Sequence, residues 1–134
     1  MLIVSYNSTS TSSLKKFMDS KVHELGNVVA VMVQEHHMAD EQQIDAFSAS
    51  MAEVGWGSFL APAKKCDSGL SSGGVGILVK LQLGSKPSQA TPRVAEHLKH
   101  RMIACLLEIP AVGEVELWIC TAGQAKGLAK RMWR

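Results

Sequence analysis

The sequence predicts an α/β fold, built on a mixed six-stranded sheet with helices on one face. Three observations lead to this prediction. Residues 2–34 contain an apolar segment, a helical pattern and a second apolar segment in succession, four more short apolar segments follow, and only two segments have helical periodicity. A strand–helix–strand unit of this kind forms a crossover between parallel strands, nearly always right-handed.

Residues 2–34 supply the first three elements. Residues 2–6 form a strand, and the Ser/Thr cluster at residues 8–13 caps a helix that Gly26 ends. The next strand, residues 28–34, is apolar at nearly every position, which is typical of a strand buried on both faces.

The remaining elements are one helix and four strands. Asp40 and Gln43 form a capping box for the second helix, which Gly55 ends. The further strands are predicted at residues 58–61, 75–79, 101–109 and 114–121. The short link at residues 110–113 favours an antiparallel hairpin between the last two.

A run of glycines and serines, Ser68 to Gly74, precedes the fourth strand. A phosphate-binding P-loop needs Gly-x-x-x-x-Gly-Lys-Ser/Thr and runs from a strand into a helix. In this chain the glycines run into a strand and no lysine follows them. We therefore interpret the run as a turn whose backbone packs closely against its neighbours.

The composition fits one globular domain. The chain has 134 residues, of which 46% are hydrophobic. No apolar stretch approaches the ~20 residues that span a bilayer, and no basic segment precedes an apolar one at the N-terminus, so neither a membrane segment nor a secretory signal is predicted. The three cysteines lack metal-ligand spacing, so we expect reduced thiols and an intracellular location, cytoplasmic or nuclear.

Charge is unevenly distributed along the chain. Residues 1–60 contain three lysines and seven acids, whereas residues 61–134 contain eleven lysines and arginines and five acids. Residues 125–134 contain four basic side chains and no acid. Such a tail is compatible with a phosphate-rich partner, and also with a solvated helix face.

Polar residues follow the first two predicted strands. Asn7 comes after residues 2–6, and Glu35 comes after residues 28–34. If these strands are parallel neighbours, both side chains emerge at one edge of the sheet, where ligands of open α/β sheets bind. Asn7 and Glu35 are therefore the candidate functional pair.

Two adjacent histidines and one arginine are further candidates. Side chains of adjacent residues usually point apart, and no other ligands are spaced for a tetrahedral zinc site. We interpret His36 and His37 as loop histidines, one of which could lie near a bound phosphate. Arg101 begins a strand, so it either faces a substrate or simply lies at the edge of the sheet.

The predicted sheet has more apolar surface than two helices can cover. In the strand at residues 101–109 both alternating sets of side chains are apolar. An open apolar face of roughly 500 Å², at about 25 cal/mol per Å², corresponds to about 12 kcal/mol, as much as the stability of a whole domain. We therefore expect a partner on the second face of the sheet.

The order of these segments resembles the endonuclease/exonuclease/phosphatase superfamily, in particular exonuclease III, apurinic endonucleases and the endonuclease-like domains of retroelements. The resemblance covers residues 1–124 and implies the N-terminal half of a four-layer α/β/β/α sandwich, followed by a basic tail or truncated helix at residues 125–134. It is carried by Ser5-Tyr6-Asn7, Val33-Gln34-Glu35, Val54-Gly55-Trp56 and the segment Gly69–Val79.

The resemblance also implies a chemistry. Members of the superfamily hydrolyse phosphodiester or phosphomonoester bonds with Mg²⁺ or Mn²⁺. By resemblance, Glu35 binds the metal, and Asn7 positions the phosphate and supports the metal site. One or two carboxylates, substrate phosphate and waters are the usual ligands of Mg²⁺. Whether the substrate is a nucleic acid such as DNA, a phosphoinositide or a nucleotide stays open.

The chain departs from the family pattern at several places. Thr9 and Ser10 stand where many members have Asp or Asn followed by Gly, the strand at 114–121 has no Tyr, and the later Asp-x-Asn and Asp-His motifs have no counterpart. Hydrolysis needs an activated water, a metal and leaving-group stabilisation together. We therefore expect little or no activity from this chain alone, with the missing C-terminal half or another chain on the open face of the sheet.

Two alternatives remain at this point. One is a non-catalytic module that binds nucleic acid or protein through the open sheet face and the basic tail. The other, a doubly wound nucleotide-binding domain, is disfavoured by the hairpin after residue 101 and by the lack of a glycine motif between a strand and a helix.

Overall fold

A computed structural model describes residues 1–88 and 98–121 of the chain. The predicted tail at residues 125–134 lies outside the described residues. In chain order the elements are β1 (Leu2–Asn7), α1 (Thr11–Lys16), a π-helical turn (Phe17–Lys21), α2 (Val22–Glu24), β2 (Val28–Gln34), α3 (Glu41–Glu53), β3 (Trp56–Ala61), β4 (Lys64–Lys65), β5 (Ser71–Ser72), β6 (Val75–Lys80), β7 (Ser85–Pro87), β8 (Met102–Ile109) and β9 (Gly113–Cys120). The α/β class is thus confirmed.

The first sheet is mixed and has four strands, in the order β1-β2-β6-β3. β1 and β2 are parallel, whereas β6 is antiparallel to both of its neighbours, β2 and β3. The helical segment from α1 to α2 connects the two parallel strands. The predicted parallel crossover over residues 2–34 is therefore confirmed.

The prediction of a single six-stranded sheet is corrected, because the last two strands belong to a second sheet. That sheet is antiparallel, with the order β7-β8-β9, and β4 and β5 form a separate two-stranded hairpin. β8 and β9 pack across one face of the first sheet and share a core with it. Residues of that core include Ala30, Met32, Val75, Ile77, Val79, Ile103, Cys105, Leu107, Leu117 and Ile119.

The helices cover the opposite face of the first sheet. Leu14, Met18 and Val22 from the first helical segment are fully buried there, as are Phe47 and Met51 of α3. The described layers are therefore helices, a four-stranded sheet and a three-stranded sheet. The expectation of a wholly open second face is wrong for the first sheet, because the chain's own hairpin of β8 and β9 covers most of it.

Cover by the second sheet does not extend to all of β1. Val4 and Tyr6 pack on the helix side, so the alternating residues Ile3, Ser5 and Asn7 face the other way. These three side chains are exposed, Ile3 by 43%. Within the described ranges, β9 pairs with a strand on one edge only.

The two predicted helix starts have different outcomes. Ser10 caps α1 as expected, since its hydroxyl accepts a hydrogen bond from the backbone N–H of Ser13 at 3.1 Å. Asp40 precedes α3 but makes no capping hydrogen bond. Its carboxylate instead pairs with Lys65 of β4 at 2.5 Å, so the predicted capping box does not form. No helix within residues 1–88 and 98–121 is both long enough and apolar enough to cross a bilayer.

Candidate functional site

Asn7 and Glu35 lie at the same edge of the first sheet. In the parallel pairing of β1 with β2, Asn7 stands opposite Gln34, so Glu35 is the next residue beyond. β6 begins at this edge with Val75 opposite Gln34, and β3 ends there with Ala61 opposite Val75. The prediction that Asn7 and Glu35 lie at the same edge of the sheet is therefore confirmed. Their chemical roles stay predictions. We call this edge the strand-end site.

The Asn7 side chain is exposed and takes part in a local turn. Its Oδ1 accepts a hydrogen bond from the backbone N–H of Thr9 at 3.3 Å. Thr9 itself has a left-handed backbone, with φ of 57°. The side-chain amide of Asn7 is therefore held by its oxygen, while its NH₂ group makes no hydrogen bond with any described residue.

The backbone at Glu35 is strained. Glu35 and His37 have φ values of 57° and 61°, in the left-handed region that side-chain-bearing residues rarely adopt. Such conformations persist only where the surrounding structure holds them, and they concentrate at functional sites. Glu35 is half-buried as a residue, and its carboxylate makes no ion pair or hydrogen bond within the part of the chain that the structure describes.

Hydroxyl groups from the start of the first helical segment hold this strained backbone. The Ser8 hydroxyl is buried and lies within hydrogen-bond distance of the carbonyls of Gln34 and Glu35, at 3.0 and 3.1 Å. The Thr11 hydroxyl donates to the carbonyl of His36 at 2.9 Å. Three successive carbonyls are therefore fixed by two side chains of the Ser/Thr cluster.

His36 holds the same segment from the interior. The side chain is fully buried, its Nδ1 accepts from the backbone N–H of Met38, and its Nε2 lies 3.0 Å from the carbonyl of Ala61. Because a carbonyl can only accept, Nε2 carries the proton and the ring is the neutral tautomer. Burial lowers the pKa of His36 below its ordinary value, and hydrogen bonds to the Ala61 and Val75 backbones partly oppose this. His36 therefore lies in a loop, as predicted, but its side chain is part of the protein interior.

The glycine–serine run packs against these histidines, as predicted for a close-packed turn. A Cβ on Gly74 would lie 2.4 Å from Cε1 of the His36 ring, so only glycine fits there. The His37 ring lies with Nδ1 3.0 Å from the Ser71 carbonyl, and the Ser71 hydroxyl donates to the His37 carbonyl at 2.6 Å. Backbone N–H groups of His36 and His37 donate to the carbonyls of Gly74 and Gly73.

The metal-ligand chemistry of the strand-end site rests on one carboxylate. Within the described residues, no group of three or more His, Cys, Asp or Glu side chains is arranged to hold a metal ion. Glu35 with Asn7 thus remains the predicted ligand set, and such a set suits only a cation that keeps several waters. The sequence reasoning missed His36, Ser8 and Thr11 as the residues that fix Glu35.

No protein-family model matches the chain, and no curated protein matches it significantly. The residues at the strand ends are therefore what a functional proposal has to rest on.

Proposed function

We propose that this chain is the N-terminal half of a metal-dependent phosphodiesterase domain of the endonuclease/exonuclease/phosphatase type, with little or no activity on its own. In this proposal Glu35 binds Mg²⁺ or Mn²⁺, and Asn7 positions the substrate phosphate. The observation that carries it is the strained backbone at Glu35 and His37, held by several buried contacts, with Glu35 one residue beyond the strand partner of Asn7.

The environment of Glu35 supports a role in binding a cation. The Glu35 carboxylate has no ionic partner in the described structure, so a bound cation would supply the opposite charge that the described residues do not. The hydrogen bonds from Ser8 fix the backbone rather than the carboxylate, which leaves both carboxylate oxygens for a ligand. When bound, the metal would neutralise charge on the phosphate and the leaving oxygen.

Asn7 complements Glu35 because an amide can donate as well as accept. Its oxygen is engaged by Thr9, so its NH₂ group is oriented for an acceptor such as a phosphate oxygen. Neither residue can activate a water and protonate a leaving group as well. The expected lack of activity in isolation follows from this shortage of groups.

The layers support a larger sandwich. Two sheets already lie face to face with helices outside the first, and the second sheet stops short of Ile3 and Ser5 on β1. A further strand beside β9 would cover these residues. The remaining strands and a fourth layer of helices are part of the proposal.

The proposal is tested by metal binding to the whole chain. Mn²⁺ is titrated and its binding is followed by water-proton relaxation, with Mg²⁺ as the competitor. We expect one weak saturable site that Glu35→Gln abolishes and Asn7→Ala weakens. Glu53→Gln, which neutralises an exposed acid at the end of α3, is the matched control and should leave binding unchanged. Equal binding by the Glu35 and Glu53 variants would refute the proposal.

The alternative function, a non-catalytic binding module, can be tested with the same protein and the same Glu35→Gln variant. DNA binding that weakens with salt, survives Glu35→Gln and disappears on removal of residues 126–134 would favour it. The face of the first sheet left for such a module is the exposed part at β1, since β8 and β9 pack over the rest.

A further inference from the structure

Arg101 lies at the same edge as the strand-end site, but on the second sheet. It immediately precedes β8, and its carbonyl accepts from the backbone N–H of Thr121, just beyond β9, at 3.0 Å. The neighbouring His100 carbonyl accepts from the backbone N–H of Gly74 at 3.3 Å. Gly74 is the residue that packs on the His36 ring. A short series of contacts therefore connects Arg101 to the segment that holds Glu35.

The positively charged Arg101 side chain has no anionic partner among the described residues. It is half-buried and, within residues 1–88 and 98–121, forms no ion pair. Its guanidinium therefore has no described anionic partner, and an anionic ligand would supply one. Arg101 thus lies at the same edge as Asn7 and Glu35, at the start of the neighbouring sheet.

One contact orients this guanidinium. Nε of Arg101 donates to Nε2 of His100 at 3.1 Å. The two terminal NH₂ groups make no hydrogen bond with any described residue, and together they form the planar fork that matches two oxygens of a phosphate. A lysine at this position would carry the charge without the fork.

From these contacts we infer that Arg101 binds a phosphate group of a nucleic-acid substrate, acting from the second sheet on the phosphodiester that Asn7 and Glu35 meet from the first. The inference rests on the proposed function and adds a substrate-binding residue to it. Phosphate binding would also give a reason for an arginine at this edge of the second sheet, directly before β8. The substrate phosphate would then lie between the ends of the two sheets.

The test measures binding of a short DNA duplex to the whole chain in the presence of Mg²⁺, by fluorescence anisotropy at several salt concentrations. We expect Arg101→Gln to weaken binding by about tenfold or more, and Arg101→Lys to restore part of it. Lys80→Gln removes the same charge at the far end of β6, where Lys80 contacts Asn27, and should change affinity less than about twofold.

A second measurement needs no variant. Inorganic phosphate is added to the wild-type chain, and the Nε–Hε resonance of Arg101 is followed by NMR. A saturable shift of this resonance supports the inference. An unchanged resonance, a wild-type chain that binds no duplex, or equal losses in Arg101→Gln and Lys80→Gln would overturn it.

The metal titration separates this inference from the proposed function. If Mn²⁺ binding depends on Glu35 but Arg101→Gln binds the duplex normally, the inference alone fails. If Mn²⁺ does not bind but duplex binding depends on Arg101, the metal-dependent function fails and the phosphate site at Arg101 stands.

Discussion

The stability of the fold should decrease in mild acid because of one buried histidine. His36 has a pKa below its ordinary value of 6.5, so the unfolded chain takes up a proton near pH 6.5 and the folded chain only at lower pH. In the interval between these two pKa values the unfolded state binds more protons, and acid therefore favours unfolding. The contribution of neutral His36 to the stability is fully present above pH 6.5 and decreases as the pH falls below that value.

The loss of stability in acid is limited because the unfolded chain takes up at most one more proton at His36 than the folded chain does. Each pH unit between the two pKa values costs about 1.4 kcal/mol, so lowering the pH from 7.5 to 5.5 reduces the free energy of unfolding by up to about 1.4 kcal/mol. The structural reason is that imidazolium would place an Nδ1–H against the backbone N–H of Met38, which donates to that nitrogen in the neutral state. Protonation therefore replaces a hydrogen bond with two opposed donors.

The assay is urea unfolding at pH 7.5, 6.5 and 5.5, followed by tryptophan fluorescence. His36→Asn should be less stable at pH 7.5, since it loses the contact with Ala61, but it should lose less stability between pH 7.5 and 5.5. His23→Gln removes an exposed histidine and should keep the wild-type dependence. If His36→Asn and the wild type lose equal amounts of stability in acid, the assignment of this effect to His36 is wrong.

Three further changes test the packing. Gly74→Ala should lower the free energy of unfolding in urea by about 2–4 kcal/mol, because the new Cβ combines a φ of 86° with overlap on the His36 ring. Gly69 has a φ of 83° but no neighbour within 4 Å, so Gly69→Ala should lower it by only about 1 kcal/mol. Equal costs would argue against the close contact with the ring. Ser58→Ala should leave stability unchanged or raise it by up to about 1 kcal/mol in the same assay, because the Ser58 hydroxyl is buried without a partner in the described structure; a clear loss would indicate a hydrogen bond. Burial raises the pKa of the Cys105 thiol to about 12, so iodoacetamide at pH 8.5 should modify Cys105 in urea but not in the native chain, as mass spectrometry of peptides can show.

The candidate pair could be predicted from sequence because it depends on local pattern and one topological rule. A strand, a helix and a second strand within residues 2–34 leave few arrangements other than a parallel crossover. Once the strands are parallel neighbours, the positions of Asn7 and Glu35 at one edge follow directly, as the observed register confirms. Little tertiary information was needed for this step.

The division into two sheets could not be predicted in the same way. Apolar residues on both faces of β2, β6 and β8 indicate that both faces are covered, but not by what. A helix layer, a second sheet and a partner chain all bury such residues equally well. The choice depends on the long-range packing of β8 and β9 across the first sheet, for which the local sequence contains no signal.

The support around Glu35 was hidden for a different reason. A histidine directly after a strand reads as a loop residue, and nothing in the pattern shows that the His36 ring lies against Gly74. Asp40 had a suitable position for a helix cap, yet an ion pair with Lys65, distant in sequence, uses its carboxylate instead. Both outcomes depend on contacts between segments about 25 to 40 residues apart.

The π-helical turn keeps one row of side chains in line. In a regular α-helix of 3.6 residues per turn, side chains four positions apart are rotated by about 40° from one another. The backbone N–H of Val22 instead donates to the Phe17 carbonyl, five residues earlier, so four residues come closer to a full revolution. Leu14, Met18 and Val22 can therefore all point at the sheet despite their even spacing of four. Removing one of residues 19–21 would restore ordinary helix geometry and place Val22 seven residues after Leu14, about 20° short of two full turns, so Val22 would still point at the sheet.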